Sequence, residues 1–136
     1  MNKPNEHTLK LISVDDSKVI SDHISFFLQK LPWVQWLGHA FTLEEARKLI
    51  EDKEPTLIIL DIQMKGESGL DFLPEVQEKY KGVDVIMLSN HESKPYRERS
   101  KELGARFFLD KSSEFYNLPS ILRIIYNNQK KALNKM

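Results

Sequence analysis

The chain has 136 residues, 40% hydrophobic and 29% charged, with a formal net charge of +0 and no cysteine. That length suits one domain with a single core, and the neutral balance gives no global attraction to nucleic acid or an anionic membrane. The missing cysteine excludes disulfides, thiolate metal sites and cysteine nucleophiles; with no signal-like N-terminus and no apolar run near the roughly 18 residues of a membrane helix, a cytoplasmic location is expected.

Residues 1–7 read as a flexible N-terminus and Thr8 to Val14 as a buried strand. A helix follows from Ser17 to Lys30, with Ile20, Ile24, Phe27 and Leu31 at helical spacing, before Pro32. Val34 to Phe41 is a less apolar strand. Thr42-Leu43-Glu44-Glu45 has the form of a capping box and opens a helix to about Asp52, amphipathic through Leu43, Ala46, Leu49 and Ile50. Thr56 to Leu60 is continuously apolar, as expected of a central parallel strand covered on both faces. Asp61 to Glu67 reads as loop. Ser68-Gly69-Leu70-Asp71 resembles a second cap, for a helix to Tyr80 with Leu70, Leu73 and Val76 inward.

Val83 to Leu88 is the next strand. Pro95 to Leu103 is a short helix with a thin apolar stripe, mainly Tyr96 and Leu103, ended by Gly104. Arg106 to Leu109 is the last strand. Pro119 lies near the start of a final helix with Leu118, Ile121, Leu122 and Ile125 on one face, and Lys130 onward reads as a frayed tail. Alternating strands and helices predict an α/β fold with right-handed crossovers. The expected form is a flavodoxin-like, doubly wound, five-stranded parallel sheet in three layers with five helices. Its strand order would be 2-1-3-4-5.

Four apolar runs stop at polar residues: Val14 at Asp15-Asp16, Leu60 at Asp61, Leu88 at Ser89, and Leu109 at Asp110-Lys111. In a parallel sheet these carboxyl ends share one edge, where open α/β sheets bind ligands. Clustered carboxylates repel unless a cation lies among them, and Mg2+ suits oxygen ligands beside a phosphate. Asp61 could then act as a nucleophile on phosphorus, with Lys111 as a point charge on a phosphoryl oxygen and Ser89 donating its hydroxyl to another. Taken singly, Asp15 or Asp16 suits an N-cap, Lys111 a solvated surface and Ser89 a turn. Together, in this register, they describe one phosphoryl-transfer site.

The motifs Val14-Asp15-Asp16-Ser17, Leu60-Asp61-Ile62-Gln63-Met64 with Gly66 and Gly69, Met87-Leu88-Ser89, and Gly104-Ala105 leading to Phe108 and Lys111 resemble those of the response-regulator receiver domain of bacterial two-component signalling. The resemblance runs from about Leu9 to the final helix. It implies that Asp61 is the phosphoacceptor and that Asp15, Asp16, Asp61 and the Gln63 backbone carbonyl hold Mg2+. Ser89 and Lys111 would bind the phosphoryl group, and Phe108 would be the aromatic switch residue. The donor would be a histidine kinase or a histidine phosphotransfer protein. Gln63 and His91, two residues after Asp61 and Ser89, are expected to overhang the phosphoryl group and tune its lifetime. Three positions depart from the family's common pattern. Lys65 and Ser112 stand where proline is usual, so a trans Lys111–Ser112 bond is expected, and Phe107 replaces a small residue.

The expectation is a stand-alone receiver over residues 8–130 with a tail at 131–136. It would be a signalling switch that promotes only its own phosphorylation and dephosphorylation. Its last two helices and last strand would regulate an unknown downstream protein, through candidates Ile124 and Tyr126, with Phe26 toward the kinase. A monomer or weak homodimer is expected, with no direct nucleic-acid contact. His7, His23 and His39 lack metal-ligand spacing and read as structural or surface residues. The alternatives are the receiver fragment of a longer DNA-binding response regulator and an aspartyl-nucleophile phosphohydrolase. A flavodoxin-like cofactor binder is disfavoured, because the first turn carries Asp15-Asp16 instead of a glycine-rich phosphate loop.

Overall fold

Strands that are apolar on both faces have to be sandwiched between helices. The computed structural model, which describes residues 7–90 and 94–135, has this three-layer form. Its sheet is parallel throughout, with β1 (Leu9–Val14), β2 (Val34–Ala40), β3 (Leu57–Asp61), β4 (Asp84–Ser89) and β5 (Phe107–Asp110). In space they run β2-β1-β3-β4-β5, the expected flavodoxin-like order. The crossovers are α1 (Lys18–Leu28), α2 (Leu43–Lys53), α3 (Gly69–Lys79) and α4 (Lys94–Glu102). A 3₁₀ turn at Phe115–Asn117 leads into α5 (Leu118–Asn134).

Side chains alternate between the two faces with the strand period of two. Ile12, Val14, Ile58, Leu60, Val85 and Met87 pack with α2 and α3, while Leu9, Leu11, Leu57, Ile59, Ile86 and Leu88 pack with α1 and α5. Helix starts are encoded locally: Ser17, Thr42 and Ser68 accept the backbone N–H groups of Ile20, Glu45 and Asp71. Because Ser17 is the N-cap of α1, neither Asp15 nor Asp16 fills that role. The Thr42 box is closed one residue early, with Glu45 accepting the Phe41 N–H at 2.7 Å.

Several sequence expectations are corrected. Helix α1 stops at Leu28, which completes the buried stripe, while Phe27 and Leu31 pack at its margin. The segment after Asp61 is ordered as well as looped, since Gln63–Met64 pairs antiparallel with Glu67–Ser68. Phe72, absent from the expected stripe of α3, is buried, and Leu70 is only partly so. Helix α5 continues to Asn134, so the segment from Lys130 is helical instead of frayed. Its Lys, Ala and Leu residues are good helix formers.

Two features set up the functional edge. Gly69 opens α3 directly against the end of β3, where a Cβ would overlap the Asp61 carbonyl; its N–H donates to the Ile62 carbonyl at 2.8 Å. Helix α4 has little apolar anchorage, and Ser100 is its buried residue among those described. Tyr96, expected inward, is 39% exposed.

Candidate functional site

The register of the sheet brings the four strand ends together. Val14 pairs with Leu60, Asp61 with Leu88, and Ser89 with Asp110. Asp15, Asp61, Ser89 and Lys111 therefore meet at one edge. The Lys111 N–H donates to the Ser89 carbonyl at 2.8 Å, which continues the β4–β5 ladder past the strand end. Asp15, Asp61 and Ser89 are buried, and Asp16 faces solvent. The Lys111 side chain is only 6% exposed; its Nζ lies 2.7 Å from Asp15 Oδ2 and 3.1 Å from Asp61 Oδ2.

Two buried carboxylates thus share one ammonium. Burial, followed by repulsion from Asp15, pushes the Asp61 carboxyl up to about 6, although Lys111 and the Gln63 N–H pull it down. Burial alone would lower the Lys111 ammonium, but its hydrogen bond to Asp15 and the charges of both carboxylates outweigh it and raise it. Both shifts favour the protonated form for different reasons: burial penalises the charge on Asp61, while the two carboxylates hold the proton on Lys111. One carboxylate oxygen from each of Asp15, Asp16 and Asp61 lies within 4.8 Å of the others. An all-oxygen donor set, net negative and open to solvent at Asp16, fits a hard dication that keeps part of its hydration.

Backbone N–H groups hold one oxygen of each of these carboxylates. Asp15 Oδ1 accepts the Ser17 N–H at 2.8 Å, Asp61 Oδ1 the Gln63 N–H at 3.2 Å, and Asp16 Oδ2 the Lys65 N–H at 2.8 Å. The last bond gives Lys65 a role that proline could not fill, having no N–H to donate. A cavity of about 100 Å³ is lined by Asp61, Ile62, Gln63, Ser89, Asn90 and Tyr96. His91 lies outside the described residues.

Phe108 points inward and packs in the cluster with α2 and α3. Sequence reasoning missed what covers it. The Arg97 guanidinium sits 4.5 Å from the ring centroid, donates to the Phe108 carbonyl at 3.3 Å and pairs with Glu114 at 2.8 Å. Glu114 Oε1 also accepts the Asp110 N–H at 2.9 Å, so the bridge ends one residue before Lys111. In sequence, Arg97 and Glu114 look like ordinary solvated charges. No peptide bond among the described residues is cis, and the Lys111–Ser112 bond is trans as expected. Asp110 holds that turn by accepting the Ser112 N–H at 2.7 Å and the Ser112 hydroxyl at 2.6 Å. Phe107 is half-buried against the α1 and α5 cluster.

Ile124 and Phe26 are exposed, at 47% and 59%. Tyr126 is half-buried and packs between His7 and Trp33, with ring centroids 5.2 and 5.1 Å away. His23 meets Phe115 edge-on at 5.9 Å. Among the described residues no helix is long and apolar enough to cross a membrane.

The family model for the response regulator receiver domain matches residues 11–123. Solved structures agree on the fold. The signal receiver domain of a DNA-binding response regulator from Colwellia psychrerythraea superposes with a TM-score of 0.81 at 20% identity, covering 88% of this chain and 98% of that one. A LuxR-family DNA-binding response regulator from Staphylococcus aureus gives 0.77 at 23% identity, over 87% and 98%. A Francisella response regulator receiver domain gives 0.79 at 23% identity, over 89% and 98%.

Proposed function

The chain belongs to the response regulator receiver domain family, and from that premise we propose that it accepts a phosphoryl group on Asp61 from a histidine kinase or a histidine phosphotransfer protein. The observation that carries this reading is the buried Asp15–Lys111–Asp61 group, with Asp16 at its open side and a small cavity beside Asp61. Asp61 attacks phosphorus through a carboxylate oxygen while the bond to the donor's imidazole nitrogen breaks, and the electron pair leaves with that nitrogen. Lys111, already between the two acids, turns its charge to the arriving phosphoryl oxygens. Ser89 donates its hydroxyl to another oxygen, and Gln63 screens the cavity from water. Asp15, Asp16, Asp61 and the Gln63 carbonyl would hold Mg2+, which when bound neutralises charge on the phosphoryl group.

Phosphorylation adds negative charge and strong acceptor oxygens beside a helix with little apolar anchorage. The output in this reading is a population shift: Ser89 and the segment after it move, α4 follows, and Phe108 repacks beneath Arg97. The partner is a downstream protein that docks on the face formed by α4, β5 and α5, where Ile124 is exposed. A second reading, the receiver part of a longer DNA-binding regulator, is favoured by the names of the Colwellia and Staphylococcus neighbours. A reading frame continuing past Met136 would select it.

Intact mass after incubation with Mg2+ and acetyl phosphate tests the chemistry. One added phosphoryl group is expected, absent without Mg2+ and absent in Asp61→Ala. A gain that persists in Asp61→Ala overturns the assignment of the nucleophile. Following the same sample over time tests the lifetime residues: the Gln63→Ala, His91→Ala double variant should alter the phosphoryl half-life several-fold, and an unchanged half-life removes both from that role.

A further inference from the structure

The acidic corner after β1 is tied to β2 by three side chains that the phosphoryl-transfer reading does not use. The β1–β2 pairing shifts register between Leu11 and Ile12, which sets Ser13 opposite His39 and Val14 opposite Ala40. His39 Nε2 lies 2.8 Å from the Asp15 carbonyl oxygen, and Nδ1 lies 2.6 Å from Ser13 Oγ. A carbonyl can only accept, so Nε2 carries the proton. In the neutral imidazole Nδ1 is then the acceptor, and the Ser13 hydroxyl donates to it. The Ser13 oxygen in turn accepts the Trp36 indole N–H at 3.2 Å. Each hydrogen in this chain has one place to go, so the tautomer and ring orientation of His39 are fixed. Phe41 closes the outer side, edge-on to the imidazole with ring centroids 4.6 Å apart.

The relay ends on the backbone of the residue whose carboxylate meets Lys111, one position before Asp16. The Asp15 N–H is held as well, donating to the Ala40 carbonyl at 3.0 Å. Asp15 is therefore gripped at both ends of its backbone by the last two residues of β2. A loop carrying two carboxylates that repel each other would otherwise relax away from the cluster. Groups that orient ligands from behind commonly change metal affinity by roughly 10–100-fold when removed.

We propose that His39 is a positioning residue that holds the β1–α1 corner, and with it the Asp15 and Asp16 carboxylates, at the spacing a divalent cation requires. This rests on the reading of Asp15, Asp16 and Asp61 as the metal site. It goes beyond it by assigning a function to the end of β2, on a strand that supplies none of the ligands.

The test uses the full chain and two substitutions that divide the histidine's two bonds. In His39→Gln the amide N–H can stand in for Nε2–H toward the Asp15 carbonyl. In His39→Asn the shorter side chain can stand in for Nδ1 toward Ser13 but falls short of Asp15. Calorimetric titration with MgCl2 should give wild-type affinity within about threefold for His39→Gln and a loss of about tenfold for His39→Asn. Amide hydrogen exchange without Mg2+ should quicken at Asp15 and Ser17 in His39→Asn alone, with urea midpoints recording overall stability. Equal affinities and equal exchange in all three proteins overturn the proposal. A loss that follows the urea midpoint, with Gln as weak as Asn, also overturns it by reducing His39 to a packing role. If the wild type binds no Mg2+, the metal-site reading fails and the cation part of the proposal falls with it. The exchange comparison still reports whether His39 orders the corner, so the two failures are distinguishable.

Discussion

The apolar body of the sheet and its charged carboxyl-end rim are built on opposite terms. In the body, β3 is buried along its whole length, and α5 sets Leu118, Leu122 and Ile125 against it and its neighbours without exposed surface. Every such contact favours folding. On the rim, Asp15, Asp61 and Lys111 are equally buried but carry charge, and their carboxylates outnumber the ammonium. Burying charge opposes folding unless pairing compensates, and here one ammonium serves two carboxylates. The two helices beside β5 follow the same division. Helix α5 belongs to the body, while α4, with Ser100 as its buried residue, is fastened to the rim by Arg97. An element fastened by polar contacts shifts at lower free-energy cost than one embedded in the core, which is what a switch needs.

The contrast can be broken most directly in the body. Leu122→Ala removes a fully buried side chain from α5 and should destabilise by about 2–5 kcal/mol in urea unfolding. A loss below about 1 kcal/mol would mean that α5 is not part of the rigid body. At the rim the sign should reverse. A carboxyl pushed from 3.8 to about 6 by folding stabilises the fold below its usual value and loses that contribution as pH rises through about 6. Without divalent cation, Asp61→Asn should therefore be more stable than wild type at pH near 7.5, by up to about 3 kcal/mol. The gain should shrink at pH near 4. A difference that does not vary with pH would show that Asp61 carries no folding penalty. The raised Lys111 ammonium loses its own contribution only at alkaline pH, above this window.

The smallest effect sharpens the comparison between the helices. Arg97→Ala removes the guanidinium over Phe108 and the bridge to Glu114 and should cost about 1 kcal/mol. Hydrogen exchange should quicken in α4 and at Asp110 while α5 keeps its protection. Equal acceleration in both helices would join α4 to the body and remove the physical basis for its movement.

Much of this was written locally in the chain. Thr42 and Ser68 mark helix starts because capping involves groups three residues apart, whereas α1 is capped by Ser17 and not by Asp15 or Asp16. The candidate site was legible through its register: Asp15, Asp61, Ser89 and Lys111 each follow an apolar run, and parallel strands deliver such residues to one edge whatever lies between them. The bounds of α5 were less legible, because its buried stripe ends at Ile125 while the helix runs on to Asn134.

The sequence by itself determined the alternation of strand and helix, the residues at the strand ends and the kind of chemistry they suit, since these depend on period, capping and side-chain type. Only the tertiary structure decided which partners those residues keep. Arg97 meets Phe108 and Glu114, Lys65 offers its N–H to Asp16, His39 reaches behind Asp15, and Tyr126 turns onto Trp33 and His7. These contacts join segments with no shared period, and a charged or aromatic side chain looks the same in sequence whether it ends in solvent or on another element. The packing of the sheet and its helices settles that difference by fixing the distance between elements, and hydrogen bonds and ring contacts form only within a few ångströms.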